Sequence, residues 1–162
     1  MAARLIVRGG ERAVVAIGEA FGVALPRDAC RASITGERAA LWLGPDEWLL
    51  IAPGSDGEQL SHALTEALGQ EPASVVDASH RQIGITVAGP AAVDALNSFN
   101  ALDLAESAFP VGMCTRTLFG KAEIVLWRTA REAFRIEVWR SFAPYVLGCL
   151  EQAISDPTLG RA

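Results

Sequence analysis

A chain of 162 residues, 51% hydrophobic and 20% charged, is long enough to bury a full core as one compact domain or two small half-domains, and its composition carries no sign of disorder. A net charge of −5 with 14 scattered basic residues argues against a nucleic-acid groove or an anionic membrane surface as the partner. Cys30, Cys114 and Cys149 are far apart and only two histidines accompany them, so no metal site is expected and each cysteine is read as a buried, reduced thiol.

The opening MAARLIVRGGERAV lacks the apolar core and cleavage site of a signal peptide, and no apolar run reaches the ~18 residues that cross a bilayer. A soluble, cytoplasmic protein is the expectation. In chain order, Arg4 to Val7 reads as a strand. Glu11 to Phe21 carries apolar residues at helical spacing and stops at Gly22. Pro26 and Asp28 fall in a loop. Arg38 to Leu43 and Glu47 to Ile51 are apolar strands joined by Gly44-Pro45-Asp46, a hairpin. Pro53 and Gly54 stop the second strand, Ser55 or Asp56 offers an N-cap, and Glu58 to Leu68 is a helix ended by Gly69. Ser74 to Ala78 is a further strand.

Gln82 to Ala88 is again a strand, followed by a helix that begins at Pro90 and runs through Phe99. Asn100 to Phe109 is a loop with a short helix. Met113 to Phe119, Ala122 to Arg128 and Phe134 to Arg140 are strands. Ser141 is placed to cap a last helix reaching about Ile154, with its apolar stripe on Phe142, Tyr145, Val146, Cys149, Leu150 and Ile154; Leu147 and Ala153 fall off that stripe. The tail 156–162 is expected to fray.

Leu5-Ile6-Val7-Arg8-Gly9 parallels Ile85-Thr86-Val87-Ala88-Gly89. Likewise Leu41-Trp42-Leu43, a turn and Trp48 to Ile51 parallel Val125-Leu126-Trp127, a turn and Phe134 to Glu137. An internal duplication of about 80 residues follows, with half-repeats at about 1–79 and 80–155 forming one compact domain. The fold class is therefore α+β: two ferredoxin-like strand-helix-hairpin-helix-strand halves with mainly antiparallel sheets.

Reactive residue types are sparse. Asp77-Ala78-Ser79-His80-Arg81 is the most polar cluster, but neighbouring residues on a strand point to opposite faces. Ser79 and His80 are thus read as satisfying backbone groups at a strand end. Gly9-Gly10 and Gly89-Pro90 join strands to helices without a phosphate-binding glycine pattern. Cys114 has no resolving cysteine beside it and is read as a core thiol. No catalytic, cofactor-binding or metal residue is assigned. Trp127 and Trp139, each followed by an arginine near a strand end, are of the types that dominate protein interfaces, so Trp127, Trp139 and Arg140 are the candidate subunit contacts. Pattern alone stops at an interaction module.

Val75 to Ala92, with Asp77-Ala78-Ser79-His80 followed by Val87-Ala88-Gly89-Pro90-Ala91-Ala92, resembles the D-x-S-H … V-x-G-P-x-A stretch of the folate-binding aminomethyltransferase (glycine-cleavage T-protein) superfamily. Leu43-Gly44-Pro45-Asp46-Glu47-Trp48-Leu49-Leu50, Phe109-Pro110-Val111-Gly112 leading to Thr117-Leu118, and Arg140-Ser141-Phe142-Ala143-Pro144-Tyr145 resemble segments of the gamma subunits of heterotetrameric sarcosine oxidase. The resemblance runs from about residue 40 to 150. It implies a non-catalytic subunit that packs on alpha, beta and delta subunits and carries no cofactor itself. In that family the other subunits hold FAD, NAD, FMN and the tetrahydrofolate site, and the enzyme demethylates sarcosine to glycine with formation of hydrogen peroxide and methylene-tetrahydrofolate. Such a subunit is expected to self-associate when isolated. Two departures stand out: the chain is about half the length of a full aminomethyltransferase, and the acidic pair near the folate is replaced by Gly120-Lys121-Ala122-Glu123-Ile124, so no folate role passes to Glu123. The alternative is a stand-alone folate-binding module. A catalytic use of Cys114 or His80 is the third reading.

Overall fold

The structure, a computed structural model, describes residues 2–54 and 57–156. The proposed cap at Ser55 or Asp56 and the tail 157–162 lie outside the described residues. Chain contacts divide the protein into two compact units, Met1–Arg81 and Gln82–Ala162. Among the described residues no helix is long and apolar enough to cross a membrane.

The first unit runs β1 (Ala2–Gly9), α1 (Glu11–Phe21), β2 (Ala32–Thr35), β3 (Arg38–Gly44), β4 (Glu47–Pro53), α2 (Gly57–Leu68) and β5 (Ala73–Asp77). Its sheet has the order β2-β3-β4-β1-β5 with every neighbouring pair antiparallel. Without β2, this is the ferredoxin-like order read from the sequence. Alternation on β1 turns Leu5 and Val7 to the same side as Ala40, Trp48 and Leu50, where Val14, Ile17 and Phe21 of α1 and Leu64 and Leu68 of α2 complete a core. Trp48 is buried and its indole N–H donates to the Pro26 carbonyl at 2.8 Å, which ties the loop after α1 to the sheet. The Arg38 guanidinium donates to the Phe21 carbonyl at 2.6 Å, serving one of the carbonyls that a helix end leaves open.

Strand β2 was not read from the sequence. It is a four-residue edge strand with partly or fully exposed residues, so it lacks the apolar alternation that marks a half-buried strand. Cys30 precedes it in a turn and is only partly buried, contrary to the expectation for all three thiols; Cys114 and Cys149 are buried.

The second unit runs β6 (Gln82–Ala88), α3 (Ala92–Asn97), β7 (Cys114–Phe119), β8 (Ala122–Ala130), β9 (Ala133–Trp139) and α4 (Ala143–Ile154). The antiparallel sheet order is β6-β9-β8-β7. Reading it as β7-β8-β9-β6 repeats the order β2-β3-β4-β1 of the first unit, so β7 is the positional counterpart of β2. Among the described residues no strand follows α4, whereas β5 follows α2. The core gathers Leu96, Leu104, Phe109, Phe119, Ile124, Leu126, Phe134, Ile136, Val138, Val146 and Leu150.

Three local readings are corrected here. Helix α3 starts at Ala92, two residues after Pro90, and ends at Asn97 rather than Phe99. Gly89 and Pro90 form a backbone turn closed by the Ala92 N–H to the Gly89 carbonyl at 3.0 Å. The cap of α4 is Phe142, not Ser141, because the entry is a tight backbone turn (Phe142 N–H to Trp139 carbonyl, 2.9 Å) and Pro144 already removes one of the N–H groups that a cap would serve. The buried face of α4 is Ala143, Val146, Cys149, Leu150 and Ala153. Ala153 therefore belongs to the core, while Phe142, Tyr145 and Ile154 point outward together with Leu147.

Candidate functional site

The polar cluster lies where β5 ends. Ala78–Arg81 form a turn closed by the Arg81 N–H to the Ala78 carbonyl at 3.0 Å. Within it the Asp77 carboxylate accepts the Ser79 N–H at 2.8 Å, the local self-bonding that aspartate favours in turns. The buried Ser79 hydroxyl accepts the Arg4 N–H at 2.9 Å, and the Ala78 N–H donates to the Arg4 carbonyl at 2.8 Å. The β1–β5 pairing is thus carried past the last ladder residue by a side chain. Helix α2 begins against the same turn. A Cβ on Gly57 would stand 2.6 Å from the Ser79 Oγ and 2.7 Å from an Asp77 carboxylate oxygen, so only glycine allows this approach. The carboxylate faces the positive end of that helix.

Beside this turn is an open cleft of about 530 Å³, lined by Glu58, Ser61, His62 and Thr65 of α2 and by Asp77 and His80. His62 lies 3.5 Å from Glu66 on the same exposed helix face. No cluster of three or more metal-ligating side chains exists among the described residues. A nucleophile-and-base pair needs the hydroxyl of Ser79 turned to the base, yet it is engaged with Arg4. Ser79 and Asp77 clamp the turn to β1 and to its own backbone.

The other stretches that carry the resemblance are also accounted for by local geometry. In the β3–β4 hairpin, the Asp46 carbonyl accepts the Gly9 N–H at 3.1 Å, and Arg8 lies 3.5 Å from the Asp46 and 3.7 Å from the Glu47 carboxylate. Phe109 is a core residue, and the Gly112 N–H donates to the Arg128 carbonyl at 2.9 Å. Tyr145 of α4 reaches the β7–β8 turn, its hydroxyl accepting the Lys121 N–H at 3.2 Å. Glu123 is 3.9 Å from Arg116.

Arg128 is the residue the sequence did not single out. Its buried guanidinium donates to the carbonyls of Leu104 (3.2 Å), Phe109 (2.8 Å) and Arg131, and lies 5.0 Å over the Phe134 ring. It holds the long loop between α3 and β7 onto the sheet. Asn100 assists by donating to the Leu118 carbonyl and accepting the Leu102 N–H, each at 2.8 Å. A lone arginine near the end of an apolar strand gives no sign in the sequence that it is buried.

Of the candidate contacts, Trp127 is buried on β8, and among the described residues its indole N–H has no acceptor. Trp139 ends β9 and is 44% exposed, and Arg140 beyond it is exposed. Trp127 and Trp139 share the face of their sheet that carries Arg135 and Glu137, an ion pair at 2.6 Å. Cys114 is buried on β7 opposite Trp127.

These elements define an aminomethyltransferase-like α+β protein. Over 92% of its length the chain superposes on 43% of the glycine cleavage system aminomethyltransferase T of Bartonella henselae, with a TM-score of 0.67 at 14% identity, which speaks for the fold alone. The chain belongs to the sarcosine oxidase, gamma subunit family, whose model matches residues 8–156. It is 36% identical over 149 residues to the sarcosine oxidase subunit gamma of Corynebacterium sp. (strain P-1), covering 91% of this chain and 72% of that one. A chain of the heterotetrameric sarcosine oxidase of Corynebacterium sp. U-96, solved in complex with pyrrole 2-carboxylate, matches with a TM-score of 0.88 and 33% identity over 95% of this chain and 80% of that one.

Proposed function

We propose that this chain is the non-catalytic gamma subunit of a cytoplasmic heterotetrameric sarcosine oxidase and supports its assembly with alpha, beta and delta subunits. The enzyme would demethylate sarcosine to glycine with production of hydrogen peroxide and methylene-tetrahydrofolate, using FAD, FMN, NAD and tetrahydrofolate held on the other subunits. The match to a chain of a solved heterotetrameric sarcosine oxidase across 95% of this protein carries the reading. The engagement of Ser79 and Asp77 with backbone groups supports a scaffold in place of a reaction centre. The recurrence of strand order in the two units supports their origin by duplication.

The test is to express the oxidase subunits with and without this chain and to record assembly, flavin absorbance and sarcosine-dependent peroxide. Loss of assembled flavoenzyme without the chain is the expected result; a fully assembled and active oxidase lacking it would reject the proposal. A stand-alone folate-binding module is the second reading, suggested by the aminomethyltransferase-like fold. Calorimetric titration of the isolated chain with tetrahydrofolate separates the two, since a subunit without a folate site gives no binding heat at millimolar ligand.

A further inference from the structure

The second unit repeats the strand order of the first except at one place. β1 lies between β4 and β5, whereas its counterpart β6 pairs with β9 alone, so β6 is an edge where β5 covers the first unit. The ladder fixes which backbone groups stand open. The Gly89 N–H donates to the Glu132 carbonyl at 2.9 Å, as the Gly9 N–H does to the Asp46 carbonyl at 3.1 Å. Alternation from there turns the N–H and C=O of Val87 and Ile85 towards β9, and those of Thr86 and Gly84 towards the open edge. In the first unit the matching groups of Arg4 are met by the Ala78 N–H and the Ser79 hydroxyl.

The side chains beside that edge are uncovered as well. α2 follows β4 and α4 follows β9 after a gap of the same length, and each helix has 12 residues. On α2 the positions that border β5 are Ser61, which lines one cleft with Asp77, and Leu68, which is 7% exposed in the core on which Val75 of β5 packs. The same positions of α4 are Leu147 and Ile154, one helix face, and they are 43% and 66% exposed. On β6, Ile83 and Ile85 are only partly buried, where Ala3 and Leu5 of β1 are fully buried. An apolar helix stripe, two half-covered isoleucines and a row of open backbone groups thus frame the space of one strand. Its occupant needs a bare inward face, because that face must lie beneath α4. β6 of a second copy already carries its own α4 there. The residues after Asp156 offer one large apolar side chain, Leu159, between Pro157 and Gly160, a poor composition for a strand. A segment of a different subunit remains.

We propose that an extended segment of another oxidase subunit adds to β6 as a fifth strand, antiparallel as β5 is to β1, with apolar, β-branched side chains turned beneath Leu147 and Ile154. The proposal rests on the subunit reading above. Main-chain bonds to Gly84 and Thr86 give such a strand its register, and the α4 stripe selects its inward residues.

The experiment co-expresses the chain with the remaining oxidase subunits, one of them tagged, and measures how much of the chain is recovered with the tag. Thr86→Pro removes an N–H that the sheet does not use, and Leu147→Glu/Ile154→Glu charges the exposed stripe. Both are expected to lower recovery by about tenfold or more while the isolated chain keeps its melting temperature. In the wild-type complex, hydrogen exchange at the Gly84 and Thr86 amides is expected to slow by about tenfold or more relative to the isolated chain. The exchange measurement needs no substitution, so it decides the matter even if the variants fail to fold. Folded variants recovered as well as wild type, with both amides exchanging as in the isolated chain, would overturn the added strand and leave the subunit reading standing. A wild-type chain that does not co-purify would overturn both. A homodimer of the isolated chain that Thr86→Pro dissolves would name a second copy as the occupant and overturn the proposal. Slow exchange in the isolated monomer that is lost on deleting residues 157–162 would name the chain's own end and overturn it too.

Discussion

At the scale of single residues, the side chains that matter most here serve the backbone. Ser79 accepts the N–H of Arg4 from 75 positions away, and both groups are buried. Ser79→Ala leaves that N–H without its acceptor and is expected to lower the unfolding free energy by about 1–3 kcal/mol in a urea titration. A change within a few tenths of a kcal/mol would show that the bond carries no weight. Arg128 serves three carbonyls, so Arg128→Met is expected to cost about 3 kcal/mol or more and to expose the loop between α3 and β7 to protease. Unaltered stability and proteolysis would contradict its role as the anchor of that loop. The Asp77 to Arg81 cluster was legible in the sequence because polar residues interrupt two apolar strands. The destination of the Ser79 hydroxyl was not, because it depends on which strand lies beside β5, and the burial of Arg128 depends on a loop whose path has no periodicity.

At the scale of elements, helix α1 and the β3–β4 and β8–β9 pairs were readable to within two or three residues, because apolar periodicity and turn residues agree there. Strand β2 was hidden by its exposure, although β7, its counterpart in the second unit, was legible because Cys114 and Phe119 are buried. The apolar stripe of α4 was read correctly at Val146, Cys149 and Leu150, which are buried, and misread at its edges, where Phe142, Tyr145 and Ile154 are exposed and Ala143 and Ala153 are buried in their place. The contact between α4 and the β7–β8 turn gives a sharp prediction. Gly120 has φ +57, and a Cβ there would collide with the Tyr145 hydroxyl. Gly120→Ala is expected to destabilise by about 2 kcal/mol, from the left-handed backbone and the overlap together, and Tyr145→Phe by less than about 1 kcal/mol. Combined, they should cost less than the sum, since phenylalanine lacks the oxygen that the new methyl meets. Thermal or urea unfolding of the four proteins reads this coupling, and strict additivity would place the Tyr145 ring away from the turn.

At the scale of the whole molecule, two units that share a four-strand order carry motif residues that turn, cap and clamp. The family membership was legible because those turn and clamp residues are fixed by the fold and so stand out as short strings, Gly44-Pro45-Asp46-Glu47-Trp48 among them. The proposed scaffold role requires that the most polar cluster of this chain takes no part in the reaction. The most direct measurement is sarcosine turnover per assembled tetramer for an oxidase that carries the Ser79→Ala/His80→Ala chain, with subunit composition and flavin content verified. Turnover equal to wild type is expected, with the deficit confined to stability. A fall of about a hundredfold or more at unchanged composition, the size expected when a nucleophile or base is lost, would contradict it.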